Sequence, residues 1–177
     1  LYPARLHLTN YIPGLHYPHE KLNRPDWHKY LSLHESTIAE ALKDFGYQTA
    51  LYGKWHLSKI KTPPESLPHN PDKQGFDESF VTYKPVPDMA KPWQKSSEDD
   101  PHNVDTIISL ATDFIHRHKK EPFFLFISHN TVHTPIREAD SLIQKYRNKN
   151  QLSKKENNPV LAAMIETLDK STGRVMN

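Results

Sequence analysis

No cysteine occurs among the 177 residues, which excludes disulfides and thiolate metal sites within them. Glycine is scarce as well, with 5 glycines against 15 prolines, and hydrophobic residues make up only 36%. That balance describes a small core carrying much proline-stiffened chain, or a piece of something larger. The formal net charge of +2 is too small to argue for nucleic acid or a membrane surface as partner. No apolar run is long enough to span a bilayer, and no signal-peptide pattern stands at Leu1. The first residue is not methionine, so the missing signal says nothing about location. The length suits one ordinary domain, and no internal repeat is visible.

Residues 1–36 read as irregular, with Pro3, Pro13, Pro18 and Pro25 interspersed among aromatics and histidines. Thr37 then fits a helix cap with Glu40 as its capping-box partner. Ile38, Ala41, Leu42 and Phe45 supply an apolar face, and Gly46 is placed to stop the helix. Tyr47 to Tyr52 reads as a buried strand, completing a helix–glycine–strand unit of the kind that builds α/β sheets. Residues 61–102 read as a long proline-rich excursion within one domain, 1–177, with a short ordered knot at Gly75-Phe76-Asp77. Its acidic cluster, Glu98-Asp99-Asp100, is expected to be a solvated loop without a calcium site. Asn103 to His118 shows helical spacing in Ile107, Leu110, Ala111, Phe114 and Ile115, and His116 and His118 complement the dipole at its end. Pro122 opens Phe123-Phe124-Leu125-Phe126-Ile127-Ser128, a run suited to a strand buried on both faces. Helices are expected at 138–148 and at 160–176, the latter with Leu161, Met164, Ile165 and Leu168 inward.

Both strands end in similar material. Gly53, Lys54 and His56 follow the first; His129, Asn130, Thr131 and His133 follow the second. Open parallel sheets build their sites beyond the C-terminal strand ends. If the two strands are parallel neighbours, Lys54, His56 and His133 meet on one edge, with His129 nearer the rim. One lysine and two histidines suit an oxyanion such as a sulfate or phosphate ester. The plainer readings are a solvated Lys54, a packing role for Trp55, and histidines that only reflect composition. His129 and His133 have zinc-pair spacing, but the pair falls in a loop closed by Pro135 and lacks the helix that would point both rings one way.

Gly46-Tyr47-Gln48-Thr49-Ala50-Leu51-Tyr52-Gly53-Lys54-Trp55-His56-Leu57 resembles the second signature of the formylglycine-dependent sulfatases, departing where Ser58 takes the usual glycine. Leu1 to Asn10 resembles the family's YPARL segment, and Glu35 to Lys43 its E.TLAE.LK helix. Gln74-Gly75-Phe76-Asp77 resembles the HGFD turn, Pro122 to Pro135 the PFFLY.S...PHTP segment, and Ala162 to Val175 the AMI...D..VGR helix. These matches stand in the family's order and cover nearly the whole chain. Leu1-Tyr2-Pro3-Ala4-Arg5 mimics the x-Pro-x-Arg spacing of the formylglycine motif, but leucine cannot be oxidised to an aldehyde. The segment aligns just after the true motif.

The resemblance implies part of an alkaline-phosphatase-like α/β sheet sandwiched by helices, a central fragment of a sulfatase. It implies that the nucleophile and the calcium ligands lie outside these residues, so the intact enzyme uses Ca2+ and formylglycine while this chain alone is inactive. Lys54 would contact formylglycine and sulfate, His56 a formylglycine hydroxyl, and His133 the sulfate, as candidate proton donor to the leaving oxygen. His129 joins Lys54 and His133 as a substrate-binding residue. The implied partner is a sulfate ester, by family a sulfated glycan, with no nucleic acid or membrane. The implied location is periplasmic, secreted or lysosomal. A phosphonate or phosphate monoester hydrolase of the same superfamily, or a non-catalytic remnant that binds anionic glycans, stands as the alternative.

Overall fold

The computed structural model describes residues 3–6, 8, 19, 21, 28, 30–58, 68–82, 97–149 and 157–177. Most of the expected irregular N-terminal segment, and 61–67 and 83–96 of the excursion, lie outside the described residues. Pro3–Leu6 forms a 3-10 turn.

Capping chemistry sets where the first helix begins. Thr37 Oγ1 accepts from Glu40 N at 3.1 Å, and Glu40 Oε2 accepts from Thr37 N at 2.8 Å, so two orphan donors are satisfied reciprocally. Helix α1 spans Ile38–Lys43. It buries Ala39, but Ile38 and Phe45, expected on the apolar face, are 62% and 78% exposed. Six residues are too few turns to carry both onto the inner side, and the chain turns at 44–46 before Phe45 could join the helix.

Three strands follow: β1 (Gln48–Gly53), β2 (Glu78–Val81) and β3 (Phe123–Ser128). Their order is β2-β1-β3, and both pairings are parallel. Central β1 is buried on both faces. Ala50 and Tyr52 meet Ile107, Ala111 and Phe114 on one side, while Leu51 meets Ala39, Trp55 and Phe76 on the other. Strand β3 is half-buried, with Phe126 47% exposed, which corrects the expectation of burial on both faces. Among the described residues it lies at the edge of the sheet, so one flank has no strand to cover it.

Strand β2 falls inside the region read as an excursion. Its anchor is Asp77, whose Oδ2 accepts from Thr49 N at 3.0 Å and Thr49 Oγ1 at 2.8 Å, while Oδ1 takes Lys43 Nζ at 2.5 Å. One carboxylate thereby joins α1, β1 and β2. Burial raises the Asp77 pKa, but the hydrogen bonds from Lys43 and Thr49 outweigh it and hold the carboxyl below its usual value of 3.8. Charge-assisted bonds of this kind contribute about 1.5–3 kcal/mol each where buried. Partial exposure of the Lys43 pair discounts that one. Asp77→Ala is expected to lower unfolding free energy by roughly 2 kcal/mol at neutral pH. Because the folded pKa is depressed, the contribution is present above about pH 4 and is lost as pH falls through the folded value. Denaturant titrations should therefore show wild type and variant converging in acid; a gap that stays constant with pH would contradict it.

Helix α2 (Val104–His118) packs on β1 and β3. Asp100, expected in a solvated loop, caps it: Oδ1 accepts from Val104 N at 2.6 Å and Oδ2 from Thr106 N at 3.3 Å. At the far end His118 Nδ1 lies 2.7 Å from Glu121 Oε1 and its ring sits 4.6 Å from the Phe114 ring. Helices α3 (Asp140–Arg147) and α4 (Pro159–Met176) pack together and α4 also lies against α2. Lys145 and Tyr146 of α3 both donate to Glu166 Oε2 of α4, at 2.6 and 2.7 Å. The inner face of α4 carries Ala163, Met164 and Ser171; Leu161 and Ile165, expected inward, are 36% and 52% exposed. Together these elements give the α/β architecture expected from the sequence.

Candidate active site

Strands β1 and β3 run in register to their ends, with Gly53 opposite Ser128. Parallel pairing puts both C-terminal ends, and the loops after them, on one edge. The junction is tied twice. Lys54 N donates to Ser128 O at 2.6 Å, and Ser128 Oγ donates to Lys54 O at 2.7 Å. The backbone of Lys54 is thus fixed to the end of β3 rather than hanging in a loop.

Trp55 is the inward residue of this segment, 8% exposed. Its Nε1–H is shared between His69 O at 2.9 Å and Ser58 Oγ at 3.2 Å, and its ring stands edge-on to Phe76 at 6.2 Å. Ser58, where the family signature carries glycine, is buried and donates to Asn70 Oδ1 at 3.2 Å. These contacts hold the lysine–tryptophan–histidine run by its middle residue and leave Lys54 and His56 half-buried on either side. Burial, and then the Lys54 charge, push the His56 pKa below its usual 6.5. The two side chains are electrostatic neighbours, and both effects favour the neutral imidazole.

The loop after β3 divides into a buried stem and an exposed tip. Asn130 and Thr131 are buried, whereas Val132, His133 and Thr134 are exposed. His133 Nδ1 lies 2.7 Å from Thr134 O. A carbonyl only accepts, so Nδ1 carries the hydrogen and Nε2 is left for other chemistry. His133 lies in the loop after β3, and no hydrogen bond joins it to Lys54 among the described residues. The tip leans toward the start of α2: His102, buried and with its pKa lowered chiefly by that burial, has Asp100, His133 and Arg137 as charged or titratable neighbours. Sequence reasoning does not single out His102; its only signal is a Pro-His-Asn step just ahead of a helix.

His129 is not at the rim. Its ring is half-buried, with Nε2 3.3 Å from Ser171 Oγ on α4. The rim position fails because the residue directly after β3 still lies under α4. Two cavities of about 280 and 300 Å³ are lined by Arg5, Tyr30 and His34 with their neighbours, and by Glu98, Asp99, Arg137 and Asp140 with theirs. Neither includes Lys54, His56 or His133. No group of three or more His, Asp or Glu side chains able to hold a metal ion occurs among the described residues. No helix among them is long and apolar enough to cross a membrane. A fixed cation beside a neutral imidazole, with a second imidazole on a neighbouring loop, can neutralise an oxyanion and move a proton at its ester oxygen.

The sulfatase family model matches residues 3–177. An arylsulfatase of Hemicentrotus pulcherrimus is 28% identical over 127 residues, covering 60% of this chain and 23% of that protein. Human N-acetylgalactosamine-6-sulfatase is 30% identical over 125 residues, covering 58% of this chain and 23% of that protein. Among solved structures, Ps i-CgsB aligns with a TM-score of 0.68 at 20% identity, over 99% of this chain and 41% of that one. A protein of a Bacteroides thetaiotaomicron locus for glycosaminoglycan metabolism aligns at 0.66 and 21% identity, over 100% of this chain and 46% of that one. The structural likenesses show the fold, a part of the alkaline-phosphatase-like α/β architecture. The chain spans less than half the length of each of these relatives.

Proposed function

The chain belongs to the sulfatase family, and from that membership we propose that it forms the sulfate-binding edge of an enzyme that hydrolyses sulfate esters. The observation that carries the reading is the locked junction of β1 and β3, which holds Lys54 and His56 beside the loop of His133. Lys54 supplies a compact positive charge to the sulfate oxygens, and it counts most as negative charge grows on the leaving oxygen. His133, as the doubly protonated imidazolium, keeps Nδ1–H on Thr134 O and gives its Nε2 proton to that oxygen. His56, neutral through burial and the adjacent Lys54 charge, is the base. The nucleophile and cation that the family implies, formylglycine and calcium, do not fit the residues present: the sequence has no cysteine and no serine ahead of a Pro-x-Arg step, and the described residues hold no convergent carboxylates. The 177 residues alone are accordingly expected to turn over no sulfate ester.

The substrate class is proposed as sulfated carbohydrate. Support comes from the Ps i-CgsB structure solved with a neocarrahexaose, from the Bacteroides protein's glycosaminoglycan locus, and from the N-acetylgalactosamine-6-sulfatase relatives. A periplasmic, secreted or lysosomal site of action goes with the same reading. The test is hydrolysis by the complete enzyme of matched aryl sulfates and aryl phosphates, then of sulfated oligosaccharides. Sulfate is expected to be preferred; a preference for phosphate, or inertness toward both, overturns the reading. The rate should also fall in acid as His56 gains a proton, with the midpoint below pH 6.5 because the pKa is lowered. An acidic limb lying above that value would remove His56 from the role of base.

A further inference from the structure

His129 and Ser171 take no part in that chemistry, yet they meet across two elements at the root of the His133 loop. Ser171 is 2% exposed and lies on the inner face of α4. Its hydroxyl donates to Leu168 O at 2.7 Å, so its one proton is committed within the helix. The contact of 3.3 Å with His129 Nε2 therefore requires the ring to donate, and the tautomer is Nε2–H. Nδ1 is then a lone pair, and it is buried with no hydrogen-bond partner among the described residues. A second proton there would create a buried, unpartnered donor, which is costly. Burial indeed lowers the His129 pKa, against an opposing pull from Asp100. The ring is thus a neutral, one-directional link from the loop to the helix.

Its place gives the link meaning. On one side, Ser128 is bonded twice to the Lys54 backbone. On the other, the next residue, His129, is bonded to α4, which is itself packed on α2 and α3. Asn130 and Thr131, the remainder of the stem, are buried, but Asn130 Nδ2 and Thr131 Oγ1 have no hydrogen-bond partner among the described residues. Among the described residues, the His129–Ser171 contact is a side-chain hydrogen bond that ties the stem to a neighbouring element. We infer that His129 and Ser171 are positioning residues, which hold the stem so that His133 keeps its place relative to Lys54. This rests on the reading of His133 as a group that meets the substrate, and it moves His129 from binding substrate to holding the loop that does.

The test uses the complete enzyme and an aryl sulfate. Ser171→Ala and His129→Ala are expected to lower kcat by roughly ten- to a hundredfold, as misplacement by about an ångström does, with KM little changed because Lys54 still binds sulfate. His129→Gln keeps an N–H donor near the Nε2 position and should recover most of the loss, which a merely space-filling role would not give. Histidine nitrogen NMR should show His129 as the neutral Nε2–H tautomer in wild type and a mixed tautomer in Ser171→Ala. A rise in KM at unchanged kcat would return His129 to direct substrate contact and overturn the proposal, as would a wild-type Nδ1–H tautomer or failure of glutamine to rescue. If His133→Ala itself leaves kcat unchanged, the active-site reading falls and the positioning role falls with it. The NMR result would then report on the link alone, so the two failures are distinguishable.

Discussion

Lys54→Ala in the complete enzyme should lower kcat by about two orders of magnitude or more, the usual consequence of losing one preorganised charge at a transition state. The backbone at Lys54 is held by two hydrogen bonds to Ser128 that do not involve its side chain. Truncation therefore removes the ammonium without releasing the strand end, and unfolding free energy should change by less than about 0.5 kcal/mol. Lys54→Arg should restore only part of the rate, since a planar fork replaces a compact charge. A second consequence comes from His56, whose pKa is lowered by burial and then by the Lys54 charge. With the charge gone, that pKa should rise, and the acidic limb of the residual activity should move toward neutral pH. Steady-state kinetics across pH checks both effects. Near-normal turnover in the alanine variant, with an unmoved acidic limb, would make Lys54 a solvated surface charge.

What is legible in the sequence is what is decided locally. The capping box at Thr37 and Glu40, the amphipathic run of α2 and the apolar runs of β1 and β3 each depend on residues within a turn or a strand of one another. The parallel pairing of β1 and β3, with the loops after both strands starting from one edge, is legible too, because it needs only two strands and the rule about where parallel sheets keep their sites. Features set by distant partners are not. Strand β2 is short and half-exposed, and it exists because Asp77 bonds to Thr49 and Lys43 far back in the chain. Asp100 reads as one of three solvated acids, and only the fold brings its carboxylate onto the first turn of α2. His129 reads as a rim residue because nothing local places Ser171 of α4 over it. The same limit applies to α4, whose inward face is set by α2 and α3 rather than by its own spacing.

Gly53→Ala should be the most damaging single-methyl change on the site edge. Gly53 has φ +124°, a conformation that residues with a Cβ rarely adopt, and its added methyl would stand 2.6 Å from the Ser128 carbonyl carbon and in steric overlap with its oxygen. That oxygen is the acceptor for Lys54 N–H. The neighbour is backbone in a paired strand, so relief requires β1 and β3 to part at their ends, and the two bonds between Lys54 and Ser128 part with them. Backbone strain of about 1–3 kcal/mol and overpacking of about 1–3 kcal/mol together suggest a loss of roughly 2–6 kcal/mol, much of the stability of an ordinary domain. Gly46 supplies the control. It also has positive φ, +77°, but a Cβ at that position would meet nothing within 4 Å. Gly46→Ala should therefore show only the backbone cost, about 1–2 kcal/mol. Denaturant unfolding of the two variants separates the terms, and sulfate hydrolysis should be lost with Gly53→Ala yet largely kept with Gly46→Ala under native conditions. Equal losses of stability in both would mean that the close approach of β1 to β3 carries no weight, and that Lys54 is not held by the strand beside it.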